Sequence, residues 1–354
     1  MTICSVVGAR PQFIKAAVVS HALAAAGITE HLIHTGQHYD GDMSQVFFDE
    51  LGIPAPERNL AVGSGSHAVQ TAGMMTALED AFRQLGPDRV LVYGDTNSTL
   101  AAALAAAKLH IPVDHVEAGL RSFNRHMPEE INRIVTDRIS DLLFCPTPTA
   151  VQHLKDEGMT RGVHMSGDVM LDATRFFASR AAERTPLSDV THHAAGTYAV
   201  ATVHRAENTD DDARLRSIFE ALGQVGLPVV LPVHPRTRSR IETLDLAPTI
   251  ELVTPLSYLS MLTLVLNARC ALTDSGGLQK EAVWLGTPCI TLRDETEWTE
   301  TLEGGWNQVV GADTGRILEA VQQQPTGNPP VFGQRDDGEG ASACIARLLV
   351  DGAA

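Results

Sequence analysis

Short apolar runs alternate along the chain with longer stretches in which apolar residues recur at helical spacing. Most runs end at glycine or polar residues and precede an amphipathic stretch, such as 13–26 or 98–109. Strands that alternate with helices predict parallel sheets joined by right-handed crossovers. The predicted strands cover residues 3–7, 31–34, 89–93, 113–116 and 142–145, followed by 198–203, 228–232, 250–253, 271–273 and 289–292.

The pattern loosens between Gly167 and Gly196, and we place a domain junction there. The sequence therefore predicts two Rossmann-like, doubly wound α/β domains, residues 1–167 and 168–337, with a final helix within 338–354. Two such halves facing each other would form a cleft. Ligands of doubly wound sheets bind beyond the carboxyl ends of the strands, so residues that follow strands are the candidates for function.

Composition narrows the function classes. The 354 residues carry a formal net charge of −16, which argues against a nucleic-acid or anionic-membrane surface but allows a few cations to bind a small anionic ligand. Without a leader pattern or an apolar run of roughly 18 residues, the chain is expected to act in the cytoplasm. Five scattered cysteines without a CxxC pair predict buried free thiols, and we expect no metal site.

The first motif, GARPQFIK, directly follows the first predicted strand. It starts at Gly8, which permits a tight turn, and supplies two cations, Arg10 and Lys15. A guanidinium matches phosphate oxygens in a bidentate manner, so the motif favours anion binding, although a plain strand-to-helix turn with surface cations would look similar. It has neither the P-loop spacing nor GxGxxG, so we expect no nicotinamide cofactor.

Carboxylates follow the next strands. Asp95 in GDTNST comes after the strand 89–93, Glu117 in HVEAGLR ends the strand 113–116, and Glu129 and Glu130 open a helix in MPEEINR. Burial at a strand end suits a carboxylate to proton transfer, and several such groups in one half favour acid–base catalysis. Each also has a purely structural interpretation: Asp95 as a helix N-cap, Glu117 paired with a cation, and Glu130 at a helix dipole.

The second half supplies groups suited to anions. His204 and Arg205 follow one strand, His234 and Arg236 follow another, and a third is followed by TDSGGLQKE. There Ser275, Gly276 and Gly277 open a helix whose free amides and dipole can bind an anion. Glu281, one turn further, can accept hydrogen bonds from ribose hydroxyls, and its structural interpretation is an exposed helix residue.

Seven motifs in this order, GARPQFIK, GDTNST, HVEAGLR, PEEINR, HRAEN, HPR and TDSGGLQKE, resemble the non-hydrolysing UDP-N-acetylglucosamine 2-epimerase family. The resemblance implies the GT-B fold, a C-terminal helix that packs back on the first domain, and a homodimer. It also implies a cofactor-free reaction with a UDP-sugar as substrate: UDP is eliminated across C1 and C2 to give a 2-acetamidoglucal and then added back with inverted C2, which interconverts UDP-GlcNAc and UDP-ManNAc.

The motif match also assigns site residues. By resemblance, the catalytic group comprises Asp95, Glu117, Glu129 and His204. The histidine is included because it is expected to bind the diphosphate as UDP leaves. The implied substrate-binding group comprises Arg10, Lys15, Arg133, His234, Ser275, Gly276, Gly277 and Glu281. Preorganised charge at the leaving diphosphate is the largest expected catalytic contribution, since one such donor is typically worth roughly 3–4 kcal/mol.

Two departures from the family pattern qualify the resemblance. Many bacterial members bind a second, activating UDP-GlcNAc through segments that here read Gln37-His38-Tyr39-Asp40 and Thr71-Ala72-Gly73, in which Ala72 replaces an arginine. We therefore expect weak or absent activation by substrate. The segment around Trp298 also resembles a branch acting on UDP-2,3-diacetamido-2,3-dideoxy-glucuronate, which is the alternative substrate. Three further functions stay open: a GT-B glycosyltransferase, a hydrolysing 2-epimerase and a catalytically silent nucleotide-sugar sensor.

Overall fold

The computed structural model describes residues 1–37, 50–233, 235–242, 244 and 246–352. They form two compact units, the first made of Met1–Ala173 and Gly333–Ala354 and the second of Thr174–Phe332. The C-terminal segment therefore belongs to the first unit. Among the described helices, none combines the length and the apolar character needed to cross a bilayer.

The first unit is built on a parallel sheet of seven described strands. The strands lie side by side in the order β3-β2-β1-β4-β5-β6-β7. The strands are β1 Thr2–Val7, β2 Thr29–His34, β3 Arg58–Asn59, β4 Arg89–Tyr93, β5 Val113–Val116, β6 Leu142–Cys145 and β7 Val163–Met165. The helices are α1 Arg10–Ala25, α2 His67–Leu85, α3 Asn97–Lys108, α4 Pro128–Ile139, α5 Pro148–Asp156, the start of α6 Val169–Arg184, and the last helix, α13 Ala341–Asp351.

The second unit repeats the plan with six described strands in the order β10-β9-β8-β11-β12-β13. Its strands are β8 Ala199–Thr202, β9 Val229–Pro232, β10 Ile250–Val253, β11 Cys270–Thr273, β12 Cys289–Thr291 and β13 Asn307–Val309. Its helices are α7 Ala206–Thr209, α8 Asp212–Gln224, α9 Pro235–Ile241, α10 Tyr258–Leu266, α11 Gly276–Trp284 and α12 Thr314–Gln322, with 3₁₀ turns at Leu187–Asp189 and Thr299–Gly305.

Both faces of each sheet are covered, which explains the continuous apolar runs in the sequence. In β8, Ala199 and Ala201 pack into one core, while Val200 packs into the core on the opposite face. Side chains of a strand alternate between faces, so a centrally placed strand must be apolar at every position. All five cysteines are buried and unpaired, as predicted, and burial raises the pKa of the Cys4 thiol to about 12.

Candidate active site

Each sheet has one point at which the chain order reverses, between β1 and β4 in the first unit and between β8 and β11 in the second. Beyond the carboxyl ends of the strands at such a point, doubly wound sheets bind their ligands. The GARPQFIK and GDTNST motifs follow β1 and β4, and the HRAEN and TDSGG segments follow β8 and β11. The sequence motifs therefore flank both reversal points.

Gln12 ties the turn after β1 to the turn after β4. Its Oε1 accepts hydrogen bonds from the amides of Gly8 and Ala9 at 2.8 and 3.1 Å. Its Nε2 donates to the carbonyl of Tyr93 at 2.7 Å and to Thr96 Oγ1 at 3.0 Å. The buried side-chain amide of Gln12 therefore fixes the spacing of the two turns. The sequence of the GARPQFIK motif alone did not predict this role.

The approach of these turns also requires Gly8. A Cβ atom at this position would collide with the hydroxyl groups of Ser98 and Thr35. Those hydroxyls are 2.8 Å apart, and Ser98 also donates to Gln37 Oε1 at 2.6 Å. Because these side chains are held by hydrogen bonds, any residue larger than glycine would push the two turns apart.

Two of the three predicted catalytic carboxylates are ion-paired. Glu117 pairs with Lys15, and both side chains are less than 10% exposed. Asp95, at 32% exposure, pairs with Arg133 from α4. Glu117 has a φ of +73°, a left-handed conformation that is unusual for a residue with a side chain. The structure therefore brings the predicted residues together as two cation–carboxylate pairs at the ends of neighbouring strands.

The two glutamates that open α4 differ in their surroundings. Glu130 is buried and accepts hydrogen bonds from the amides of Ser122 and Phe123 at 2.9 and 3.0 Å, and from Arg133 Nη1 at 3.1 Å. It thus holds the loop that precedes the helix. Glu129 is exposed, and among the described residues no hydrogen bond joins it to another side chain. The structure therefore leaves Glu129 open to solvent.

A buried network supports the ends of β4 and β5. His115 Nε2 donates to the carbonyl of Gly94 at 2.7 Å, and Nδ1 lies 2.7 Å from Asp137 Oδ1. Asp137 also accepts from Arg121 at 2.7 Å. Burial alone would raise the pKa of Asp137, but the hydrogen bonds and charges of His115 and Arg121 outweigh it and lower that pKa. The network braces the backbone next to Asp95 and was not foreseen from the sequence.

In the second unit, a buried carboxylate orients His204. Asp274 Oδ1 lies 2.9 Å from His204 Nδ1, and Asp274 also accepts from the amide of Arg205 and from Asn208 Nδ2. Burial would raise the pKa of Asp274. The hydrogen bond and charge of His204, together with the hydrogen bonds from Arg205 and Asn208, outweigh burial and lower that pKa. With Nδ1 on the carboxylate and the side chain 53% exposed, His204 can present Nε2 to a ligand.

The start of α11 is an open helix N-terminus. Ser275 is its N-cap and accepts from the amide of Leu278. The first amides of a helix lack intrahelical partners and favour an anion. A Cβ on Gly277 would meet nothing within 4 Å, whereas one on Gly276 would lie 2.8 Å from Glu297 Oε1. The surface over Gly277 therefore has room for a ligand.

Two charged residues further along α11 are buried. Glu281 accepts a hydrogen bond from Tyr258 Oη at 2.8 Å. The ammonium group of Lys280 lies 3.6 Å from the ring centroid of Trp298, a cation–π contact. The interpretation of Glu281 as an exposed helix residue therefore does not hold, because the side chain is 7% exposed. Trp298, at the departure from the family pattern, packs against the helix that opens at Gly276.

The remaining predicted positions are placed unequally. Arg10 is the first residue of α1 and is half-buried. Ala72 is exposed on α2. His234 and the segment His38–Asp40 lie outside the described residues.

The chain is similar to known proteins over most of its length. The family model described as UDP-N-acetylglucosamine 2-epimerase matches residues 21–331. The chain is 49% identical to UDP-2,3-diacetamido-2,3-dideoxy-D-glucuronate 2-epimerase of Pseudomonas aeruginosa, with 99% of each chain covered. It is also 49% identical to a UDP-N-acetylglucosamine 2-epimerase homolog of Methanococcus maripaludis, with 91% of this chain and 92% of that one covered.

A solved structure confirms the fold. The crystal structure of UDP-GlcNAc 2-epimerase from Methanocaldococcus jannaschii, in complex with UDP-GlcNAc and UDP, matches with a TM-score of 0.90 and 39% identity, covering 99% of this chain and 100% of that one. The predicted GT-B class, with two Rossmann-like parallel sheets, is therefore confirmed. On the family match and these relatives, the chain belongs to the UDP-N-acetylglucosamine 2-epimerase family of isomerases.

Proposed function

We propose that the chain inverts C2 of a UDP-linked 2-acetamido sugar by eliminating UDP and adding it back. The observation that carries the proposal is the pair of carboxylates at the ends of β4 and β5, each held by a cation: Asp95 by Arg133 and Glu117 by Lys15. Fixed carboxylates suit a reaction in which one group removes a proton and another returns one. The family membership supports the same reaction class.

The elimination needs no oxidant or reductant, because the electron pair of every bond it breaks stays with a part of the substrate. A carboxylate takes the C2 proton, the C2–H electron pair becomes the C1–C2 double bond, and the C1–O pair leaves with the β-phosphate. Re-addition reverses these steps, with a proton delivered to the opposite face of C2 while a UDP oxygen forms the new bond to C1. We assign the proton transfers to the group Asp95, Glu117 and Glu129.

The second unit is proposed to bind the nucleotide. His204 and the amides of Ser275, Gly276 and Gly277 would contact the diphosphate, and Glu281 the ribose. Support comes from the Asp274 hydrogen bond that orients His204 and from the open space over Gly277. Donors fixed before the diphosphate departs need no reorganisation in the transition state, which is why such groups lower barriers. Arg10 and Lys15 of the first unit, with Arg133, complete the proposed set of cations.

For the sugar, we place UDP-2,3-diacetamido-2,3-dideoxy-D-glucuronate first and UDP-GlcNAc second. The Pseudomonas relative named for the diacetamido sugar matches over 99% of both chains, and the Trp298 segment points the same way. UDP-GlcNAc is the second candidate because the Methanococcus relative, a UDP-N-acetylglucosamine 2-epimerase homolog, has the same 49% identity over 91% of this chain. The enzyme is further proposed to work as a homodimer in the cytoplasm, where its five unpaired thiols fit a reducing compartment.

The test is incubation of the purified chain with each UDP-sugar alone in D2O, followed by NMR. We expect deuterium at C2 and the C2 epimer, with turnover of the diacetamido uronate at least 10-fold faster than that of UDP-GlcNAc. Free sugar plus UDP would indicate hydrolysis instead. An unchanged spectrum for both sugars, restored to reaction only by an acceptor, would indicate glycosyl transfer.

A further inference from the structure

A cluster of metal-ligating side chains lies in the second unit, away from the strand ends that carry the proposed nucleotide-binding residues of that unit. His192 and His193 precede β8, and Glu251 is the second residue of the edge strand β10. The predicted substrate-binding residues follow the carboxyl ends of β8 and β11, whereas Glu251 is near the amino end of its strand. The cluster is therefore separate from the proposed nucleotide-binding residues of the same unit.

The spacing of the ligand atoms fits a small transition-metal ion. One ligand atom from each side chain lies within 4.8 Å of the other two. His193 Nε2 is 3.3 Å from Glu251 Oε2, and His192 Nδ1 is 3.8 Å from Glu251 Oε1. Two ligands about 2.0–2.2 Å from a tetrahedral zinc ion lie roughly 3.3–3.5 Å apart. The side chains would need only small rotations to coordinate one ion.

One carboxylate oxygen and one imidazole of the cluster are shielded from solvent. Glu251 Oε2 is buried, yet within the part of the chain that the structure describes it has no hydrogen bond of acceptable geometry. The His193 ring stacks on the buried Tyr198 ring with centroids 6.0 Å apart, and Tyr198 Oη donates to the carbonyl of Leu264 at 2.6 Å. His193 Nε2 lies 3.3 Å from Glu251 Oε2 without forming such a bond, and a metal ion between the two atoms would satisfy both.

The position of the cluster indicates what an ion would do there. Ile250 packs into the core on one face of the sheet, and Val253 packs on the other face against the core that contains Tyr198, Leu187 and Val190. Side chains alternate along a strand, so Glu251 shares the face of Val253. The chain segment 187–198 runs over that face beside an edge strand. An ion at the cluster would join this segment to the edge of the sheet.

We propose that His192, His193 and Glu251 form a structural zinc site that fastens segment 187–198 to β10. Two imidazoles and a carboxylate are a ligand set that zinc accepts, and the 72% exposure of His192 leaves the fourth position to water. Ni²⁺ and Cu²⁺ also bind imidazole-rich sets of this kind, whereas Mg²⁺ prefers oxygen ligands. This proposal runs against the expectation, drawn from the missing CxxC spacing, that the chain holds no metal.

The experiment uses the full chain without a polyhistidine tag, stripped with EDTA and dialysed. Titration with ZnCl2 by calorimetry should give one zinc ion per chain, and zinc should raise Tm by several degrees because the preformed site binds it more tightly than the unfolded chain does. His193→Ala and Glu251→Gln should each weaken zinc binding by at least 10-fold and abolish the Tm shift. His21→Ala, an exposed histidine on α1, is the matched control and should bind zinc like the unmodified chain.

Glu251→Gln keeps the shape of the side chain, so it decides the matter if His193→Ala fails to fold. Unchanged zinc affinity in Glu251→Gln, or no zinc binding by the unmodified chain, would overturn the proposal. A structural role also requires that EDTA leave turnover at 25 °C unchanged. Loss of turnover that zinc restores would contradict that role.

Discussion

The two units place their candidate chemistry at equivalent points of similar sheets but hold it in different ways. In the first unit, Lys15, Glu117 and Arg133 are less than 10% exposed and satisfy one another or Asp95. In the second, His204 is 53% exposed and the surface over Gly277 is open. Apart from the exposed Glu129 and the buried Glu281, the first site pairs its groups internally and the second leaves them available to an incoming ligand.

The difference matches the demands of the two proposed tasks. A proton transfer is sensitive to displacements of a fraction of an ångström, so its groups gain from being fixed by partners before substrate arrives. A diphosphate site must exchange its ligand at every turnover, so its donors gain from being oriented but uncovered. Asp274 provides that orientation for His204 without covering it.

The largest expected effect is on turnover when a first-unit carboxylate loses its charge. Asp95→Asn, Glu117→Gln and Glu129→Gln should each lower kcat by about 10²–10⁴-fold, the usual contribution of general acid–base catalysis. The affinity for UDP, measured by calorimetry, should change by less than about 3-fold because the second-unit groups proposed to bind the nucleotide are unchanged. Glu319→Gln, an exposed residue of α12, serves as the control. Full activity of all three variants would refute the assignment.

The next prediction concerns the second unit, where the affinity for UDP should respond. His204→Ala should weaken UDP binding by roughly 10-fold or more, since a hydrogen bond to a charged group typically contributes about 1.5–3 kcal/mol. Because the variant also removes a partner of the buried Asp274, Tm should fall as well. Calorimetric titration with UDP and a thermal melt measure both. Intact UDP affinity in this variant would remove His204 from the nucleotide site.

The paired glutamates of α4 offer a sharper contrast. Glu130→Gln replaces a buried carboxylate that holds Ser122, Phe123 and Arg133, so it should lower the free energy of unfolding by about 1–3 kcal/mol. Glu129→Gln is exposed and should leave stability within about 0.5 kcal/mol. Urea denaturation measures both. Equal stabilities would contradict the structural role given to Glu130.

Stability at low pH should depend on the two buried aspartates. The pKa values of Asp137 and Asp274 are lower in the folded chain than their ordinary value of 3.8. Each ionised carboxylate therefore stabilises the folded state at pH values above 3.8. That contribution is lost as the pH falls from 3.8 through the folded pKa values. Thermal melts between pH 5 and 2 should show a steep decline, reduced in Asp274→Asn. A pH-independent Tm in this range would contradict the assignment.

The smallest effect concerns activation by substrate. With Ala72 in place of the arginine of many relatives, we expect hyperbolic dependence of rate on UDP-sugar concentration, with a Hill coefficient near 1. Initial-rate measurements over a wide concentration range decide this. A strongly sigmoidal curve would show that an activating site persists despite Ala72.

The sequence predicted the central strands but not all of the edges. β1, β4, β5, β8 and β11 were found because parallel strands covered on both faces are apolar throughout. β3, β7 and β13 lie at sheet ends and are only two or three residues long, and β3 and β7 have no fully buried residue, so no continuous apolar run marks them. Pairing between distant residues was also hidden, since nothing local links His115 to Asp137 or His193 to Glu251.

Motif spacing placed the candidate groups at the ends of the right strands, but it did not tell which of them contact each other. Lys15 and Glu117 are 102 residues apart in sequence and meet only because β1, β4 and β5 are neighbours in the sheet. The resemblance assigned a catalytic role to Glu129 and not to Glu130, but it did not show that Glu130 is buried and holds the loop before α4. The roles of the site residues stay predictions until the variants are measured.

The return of the last helix to the first unit has a practical consequence. α13 packs against α1, and Asp172 accepts hydrogen bonds from the amide and hydroxyl of Ser342 at 2.8 and 2.6 Å. The first unit is therefore completed only after the whole second unit has been synthesised. A ribosome-bound chain must carry an unfinished amino-terminal half until the segment from Gly333 onward emerges, and a stop codon just before Gly333 would damage the unit that is encoded first.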